Sequence, residues 1–227
     1  MIQSLVFGGL DGIITTFAIV SAAVGASLGF KTVVVMGIAN LVADAISMGL
    51  GDALSEKAEQ DYVKKEFERE NWEMENAPEG EKHEMIELYE QQGYSKEDAT
   101  TIITIMAKNP EFFVKHMMTV ELEIMPPGNE NPWKKGGVTF AAFMVFGAVP
   151  LLSYIIFAQI DGLHPNALAG ICTAFTACAI FALGALKGKF AEAPMLSSGL
   201  AMLANGLLAA GSSFLIGWVL EQLIPDV

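Results

Sequence analysis

The chain of 227 residues is 52% hydrophobic and carries a formal net charge of −13 at pH 7, with 13 basic against 26 acidic residues. Its mean hydropathy of +0.44 excludes an ordinary soluble domain of this size, and no nucleic-acid partner is expected. Four stretches lack any charged residue and are each long enough to cross about 30 Å of hydrocarbon as a helix: 12–30, 136–160, 162–186 and 193–220.

The first predicted span lies at the start of the chain and is not a signal peptide. It lacks a basic segment before its apolar run, and Asp11 interrupts that run. It begins almost at Met1, a start that is compatible with a missing N-terminal extension. A second span follows, up to residue 54. Both must be helical, because lipid offers backbone N–H and C=O groups no hydrogen-bond partner.

Residues 55–125 form an acidic segment that we expect to face water. They hold 18 of the 26 acidic residues but only 8 of the 13 basic ones. Turn residues and a capping pattern divide the segment into three predicted helices. These run from Ser55 to Glu75, from Glu81 to Gln92 and from Ser95 to Met125, the last kinked or restarted at Asn109-Pro110.

Three further spans follow within residues 133–224. We therefore expect an all-α membrane protein of five transmembrane helices, with a three-helix cytosolic insert between helices two and three. The predicted parts are 1–54, 55–125 and 133–224. Basic residues flank the third and fourth spans on the side of the insert, which predicts that this side is cytoplasmic. They are Lys134, Lys135, Lys187 and Lys189.

Two carboxylates, Asp11 and Asp44, lie within the predicted spans. A carboxylate at membrane depth is costly and usually faces a cavity that serves transport. Asn40 and Met48 lie four residues before and after Asp44, so amide, carboxylate and thioether share one face of the second helix. These four residues predict a transport pathway for a metal ion.

Small residues crowd the first span, where they allow close backbone approach between spans or between protomers. Five helices make a thin wall for a conducting pathway. We therefore expect a homodimer whose protomers face each other across helix one. The small residues are Gly8, Gly9, Gly12, Ala18, Ala22, Ala23 and Gly25.

In the insert, acidic residues recur in steps of three and four, which place them on one face of a helix. Carboxylates suit hard divalent ions, whereas thioether sulfur disfavours Mg²⁺ and Ca²⁺. A mixed set of Glu and Met therefore favours Fe(II) or Mn(II), with Zn(II) or Co(II) also open. The alternative is a solvated acidic domain with Met in its core. The residues concerned are Glu66, Glu70, Glu73, Glu81, Glu84, Met117, Met118 and Glu121.

Two histidines, His83 and His116, are predicted to lie on the surface of the insert. No Cys or paired His completes a zinc-site pattern around either of them.

Two motifs resemble those of a known family. Residues 11–18, Asp-Gly-Ile-Ile-Thr-Thr-Phe-Ala, and residues 43–49, Ala-Asp-Ala-Ile-Ser-Met-Gly, are similar to segments of the vacuolar iron transporter family. The resemblance extends over nearly the whole chain, as five spans with a helical insert after the second.

The resemblance implies exchange of Fe(II) for protons, with metal moving from the cytosol into the vacuole along a pathway at the dimer interface. It places Asp11 and Met48 on that pathway and implies a multi-pass vacuolar membrane protein whose insert faces the cytosol. Relatives often carry Glu where this chain has Asn40, so this chain has one ionisable group fewer than they do at that position. Asp44 is a candidate carrier of a coupling proton. The resemblance also implies metal binding in the insert by Glu70, Glu73, Glu81, Glu84, Met117, Met118 and Glu121.

Three alternatives stay open at this point. A Mn(II) transporter of the same fold would use the same ligands. A membrane-anchored metal sensor or buffer would bind metal without moving it, although a pure anchor has no use for buried acids. A di-iron oxidase typically carries Glu three residues before His. Those positions hold Gly80 and Phe113, so no enzyme is expected.

Overall fold

The computed structural model describes residues 2–126, 128, 130–160 and 164–224, and this part of the chain contains helices, turns and no strand. The all-α prediction is therefore confirmed. Five of the described helices, α1, α2, α6, α7 and α8, are long and apolar enough to cross a membrane, as predicted. The helices are α1 (Ile2–Gly25), α2 (Phe30–Asn76), α3 (Pro78–Gln91), α4 (Lys96–Met106), α5 (Pro110–Val120), α6 (Pro132–Phe157), α7 (Pro165–Phe190) and α8 (Met195–Leu223).

The chain divides into two compact units, which we name here. The membrane unit comprises Met1–Ala53 and Pro132–Val227, and the acidic unit comprises Leu54–Asn131. Helix α2 contributes to both, with the division between Ala53 and Leu54.

Helix α1 packs against α6, α7 and α8 within the membrane unit. Its residues Ile13 and Phe17 are almost fully buried, and they share an apolar cluster with Ile180 of α7 and Ala210 of α8. Helix α2 packs on α6 instead, where Leu41, Ala45 and Phe143 form a second cluster. Apolar contacts between neighbouring helices therefore hold the membrane unit together.

Glycines permit the closest helix crossings in the membrane unit. A Cβ atom on Gly12 would lie 2.6 Å from the carbonyl oxygen of Phe143 in α6. The crossing of α1 with α8 uses two glycines, since a Cβ on Gly25 would strike the carbonyl of Phe214, and one on Gly217 would strike that of Ala22. Close approach between spans of one chain therefore explains these glycines.

We expect Gly217→Ala to lower the melting temperature of the detergent-solubilised protein by several degrees. The added methyl group meets the backbone of α1, which cannot yield as a flexible side chain would, and overpacking of this kind costs roughly 1–3 kcal/mol. Gly211→Ala, on the same helix, is the matched control, because nothing lies within 4 Å of its added Cβ. Equal melting temperatures for the two variants would contradict the tight α1–α8 crossing.

The acidic unit contains α3, α4, α5 and the C-terminal part of α2. Ser95 caps α4, with its side-chain oxygen accepting a 3.1 Å hydrogen bond from the backbone N–H of Asp98, as the capping pattern predicts. Gly93 adopts the left-handed φ of +102° that ends the α3 segment. The expected third helix is two helices, because α5 begins afresh at Pro110 with Asn109 as its cap. The core of the acidic unit includes Met85, Tyr89, Ala99, Ile103, Phe113 and Met117.

Candidate metal sites

A cavity of about 220 Å³ in the membrane unit brings together three predicted pathway residues. Asp11 comes from α1, and Asp44 and Met48 come from α2. All three side chains are partly accessible. Two carboxylates and a thioether therefore converge on one space large enough for an ion with part of its water shell.

Asn40, the fourth predicted pathway residue, supports the cavity indirectly. Its side-chain amide donates a hydrogen bond of 2.5 Å to Oδ2 of Asp44, one turn along the helix. Asn40 is not among the residues that line the cavity. Its amide therefore orients the Asp44 carboxylate.

Two hydroxyl residues line the same cavity and were not predicted from the sequence. Thr15 lies four residues after Asp11, and Ser47 lies three residues after Asp44. The Thr15 hydroxyl donates to the backbone carbonyl of Asp11 at 2.8 Å, which leaves its oxygen lone pairs facing outward from α1. Their spacing could have identified them, because residues three or four positions after an acid lie on the same face of the helix.

In the acidic unit, five glutamates from the predicted set form two groups. One is Glu70, Glu73 and Glu81, and the other is Glu81, Glu84 and Glu121. Within each group, one carboxylate oxygen from every member lies within 4.8 Å of the others. Glu81 is shared, so α2, α3 and the residue that follows α5 meet at one carboxylate.

Two carboxylate oxygens of these groups are buried without a hydrogen-bond partner in the described part of the chain. They are Oε2 of Glu70 and Oε2 of Glu121. Glu70 is almost completely buried, with 1% of its surface exposed. A buried acceptor without a partner is costly, and a cation would satisfy both oxygens. The donor set therefore suits a hard or borderline divalent ion.

Burial and mutual repulsion raise the pKa values of this cluster. Burial, followed by the charges of Glu70 and the other neighbouring glutamates, raises the pKa of both Glu81 and Glu121 to about 7. Burial also raises the pKa of Glu70, against the opposing effect of the Arg69 guanidinium. At neutral pH, protons and metal ions therefore compete for the same oxygens.

We expect Mn(II) binding by the acidic unit to weaken as the pH falls through 7. Glu81 and Glu121 have raised pKa values of about 7, so they take up protons below that pH and must release them to bind metal. If both must ionise, the affinity falls on the order of 50-fold from about pH 7.5 to about pH 6. Titration of the full-length protein with Mn(II) at several pH values tests this. An affinity that stays constant over that range would contradict the proton competition.

The two predicted methionine ligands are both fully buried. Met117 packs in the apolar core of the acidic unit, against residues that include Met85 and Phe113. Met117 therefore packs as a core residue, which is the alternative that the sequence left open. Met118 lies beside it in sequence, on the turn of α5 that leads to Glu121.

The prediction for the two histidines is half wrong. His83 is exposed, as expected, but His116 is half-buried. Its Nε2 lies 2.7 Å from the hydroxyl of Tyr89, and its ring stacks on Phe112. Burial lowers the pKa of His116. His116 is therefore held by two aromatic residues, Phe112 one helical turn before it and Tyr89 on α3.

Sequence analysis also missed Arg69, which contacts the first glutamate group. The signal was available, since Arg69 directly precedes Glu70 and lies three and four residues from Glu66 and Glu73. Acidic residues are recognisable as candidate metal ligands, whereas a basic residue between them is not.

Comparison with known proteins gives consistent matches. The family model described as "VIT family" matches residues 2–218. The "Vacuolar iron transporter" of Toxoplasma gondii is 42% identical over 230 residues, covering 98% of this chain and 75% of that protein. The protein of the same name from Plasmodium falciparum is 37% identical, covering 99% and 84% respectively. "Vacuolar iron transporter 1" of Arabidopsis thaliana is 28% identical, covering 98% and 87%.

Proposed function

The chain belongs to the VIT family, and on that premise we propose that it is a proton-coupled transporter that moves Fe(II) from the cytosol into a vacuole. Its relatives are named as transporters and not as enzymes. The observation that carries the proposal is that Asp11, Asp44 and Met48 line one cavity of the membrane unit.

The cavity suggests how metal and proton fluxes are coupled. Carboxylate and thioether groups replace part of the water shell of the ion, and this donor pair favours Fe(II) or Mn(II) over Mg²⁺ and Ca²⁺. A carboxylate at membrane depth binds either a proton or a metal ion, because its uncompensated charge is costly there. Protonation from an acidic lumen then releases the metal. Asp44, held by Asn40, is the proposed second carrier of protons.

In this proposal the acidic unit collects metal from the cytosol. Its two glutamate groups and the two orphaned carboxylate oxygens, in Glu70 and Glu121, support ion binding there. Fe(II) is the proposed ion, and Mn(II), Zn(II) or Co(II) fit the same oxygen donors. The groups that would hold it are those named from the sequence: Glu70, Glu73, Glu81, Glu84, Met117, Met118 and Glu121.

The proposed location is a vacuolar membrane, with the acidic unit in the cytosol. The names of the relatives support the vacuole. Lys187 and Lys189, in the last turn of α7, support the orientation, because basic residues favour the cytoplasmic ends of spans.

We further propose a homodimer formed across α1. Phe7, Asp11, Ala18 and Ala22 leave part of their surface accessible and recur at steps of four and seven along one face of that helix. Small residues on such a face allow a second copy to approach closely. A two-fold axis there would bring the Asp11 residues of the two protomers toward each other.

Reconstitution into liposomes tests the proposed function. The vesicles contain a dye quenched by metal and a pH indicator, and Fe(II) or Mn(II) is added outside under anaerobic conditions, with and without an acidic interior. Metal entry matched by proton exit supports coupled transport, and the relative rates rank the two ions. Binding of metal to the protein without entry of either ion would instead support a sensor or buffer.

A further inference from the structure

The chain of 227 residues has one arginine, Arg69, among its 13 basic residues. Its guanidinium contacts three carboxylates of α2. Nη1 lies 2.9 Å from Oε2 of Glu66, and Nη2 lies 3.0 Å from Oε1 of Glu70. Nε lies 3.7 Å from Oε2 of Glu73. Two of these acids, Glu70 and Glu73, belong to the first glutamate group.

An arginine suits this position for a geometric reason. Its planar group presents five N–H donors in a fixed fork, so it can bond several carboxylates at once, whereas the lysine ammonium is a compact point charge. The Glu70 side chain is 1% exposed, but that of Arg69 is 49% exposed. The guanidinium therefore neutralises a buried acid from the solvent side and can leave it by rotating into water.

We propose that Arg69 is a displaceable internal counter-ion of the acidic unit. It neutralises Glu66, Glu70 and Glu73 when no metal is present, and a divalent ion must remove it to bind the first group. This inference rests on the proposed binding of metal by the acidic unit. Its consequence is that Arg69 sets the affinity of the first group, because binding there requires its ion pairs with Glu70 and Glu73 to break.

The two glutamate groups therefore differ in how their charge is balanced without metal. In the first, Arg69 contacts two of the three members. In the second, the described part of the chain shows no ion pair between Arg69 and any member of the group. Metal loading of the first group thus releases an arginine side chain, whereas loading of Glu84 and Glu121 does not.

Metal titration of charge variants tests the displacement. We expect Arg69→Gln to bind Mn(II) about 10-fold more tightly than the wild-type protein, since the ion pairs with Glu70 and Glu73 no longer oppose binding. Arg69→Lys should give an intermediate affinity. Lys64→Gln is the matched control, because it removes one positive charge from the same helix at an exposed pair with Glu68, and it should change affinity less than two-fold.

An affinity of Arg69→Gln equal to or weaker than the wild type would overturn the proposal and show that Arg69 positions the glutamates for metal. An equal gain in Lys64→Gln would also overturn it, because net charge alone would then explain the effect. Absence of Mn(II) binding by the wild-type protein itself would instead refute metal binding by the acidic unit.

Arginine-specific labelling gives an independent test. Because the 227-residue chain has a single arginine, modification of this chain by the arginine reagent phenylglyoxal reports on Arg69. We expect saturating Mn(II) to accelerate the modification several-fold, since the displaced guanidinium is exposed, and to have no such effect on Glu81→Gln. Slower or unchanged modification in the presence of bound Mn(II) would overturn the proposal.

Discussion

Asp11→Asn is expected to abolish metal flux in reconstituted vesicles while leaving Mn(II) binding by the acidic unit intact. Asn keeps the size of the side chain but cannot carry the negative charge that both binds the ion and accepts the proton. Asp11 faces Asp44 and Met48 across one cavity, so removing its charge leaves a single carboxylate there. Loss of even an outer-shell partner costs 10–100-fold in metal sites, so we expect a fall of at least about 100-fold.

Glu221→Gln is the matched control for this variant. It also removes one acid from the membrane unit, at an exposed position near the end of α8, and flux should stay near the wild-type rate. Met48→Ala should lie between the two, because it removes a neutral ligand and no charge. Flux in Asp11→Asn comparable to that of Glu221→Gln would place the pathway elsewhere in the protein.

Glu81→Gln is expected to have the largest effect on metal binding. Glu81 is a member of both glutamate groups, so its loss reduces each of them to two carboxylates. We expect the Mn(II) affinity of both groups to fall at least about 100-fold. Isothermal titration of the full-length protein measures this directly, and the change of one atom leaves the packing of α3 largely intact.

Two further variants test whether the effect of Glu81→Gln comes from its membership of both groups or from the loss of one negative charge. Glu84 belongs to the second group only, so Glu84→Gln should remove one class of bound ion and retain the other. Glu87 lies on the same helix, exposed and 3.2 Å from His83, and Glu87→Gln should bind Mn(II) like the wild type. If Glu81→Gln lost no more ions than Glu84→Gln, the two groups would not share Glu81.

The sequence predicts the membrane part of the fold well, because the physical signal is local. Long uncharged stretches can only be helices in lipid, and each of the four overlaps a helix that is long and apolar enough to span a membrane. The proposed pathway residues could be named from the sequence for a similar reason. Asp11 and Asp44 are conspicuous in apolar surroundings, and helical spacing adds Met48 and Asn40.

Contacts between helices account for what could not be predicted. Asn109-Pro110 was compatible with a kink or a restart, and the choice depends on how α4 and α5 pack. The half-buried His116 depends on Tyr89, which lies 27 residues away. That Glu81 joins two groups depends on the approach of α2, α3 and the end of α5, which spacing along one helix does not determine.

The proposed metal binding by the buried glutamates would also make the ion a folding ligand, with a consequence for how long the protein survives. The pKa values of Glu81 and Glu121 lie near 7 in the folded chain, above the ordinary value of 4.5. The metal-free acidic unit therefore loses free energy of unfolding as the pH rises from about 4.5 to about 7, because the unfolded chain ionises more readily. A bound divalent ion offsets this loss by mass action. In a metal-starved cell the unit opens more often and is more readily proteolysed, so the abundance of the protein should follow the supply of its cargo.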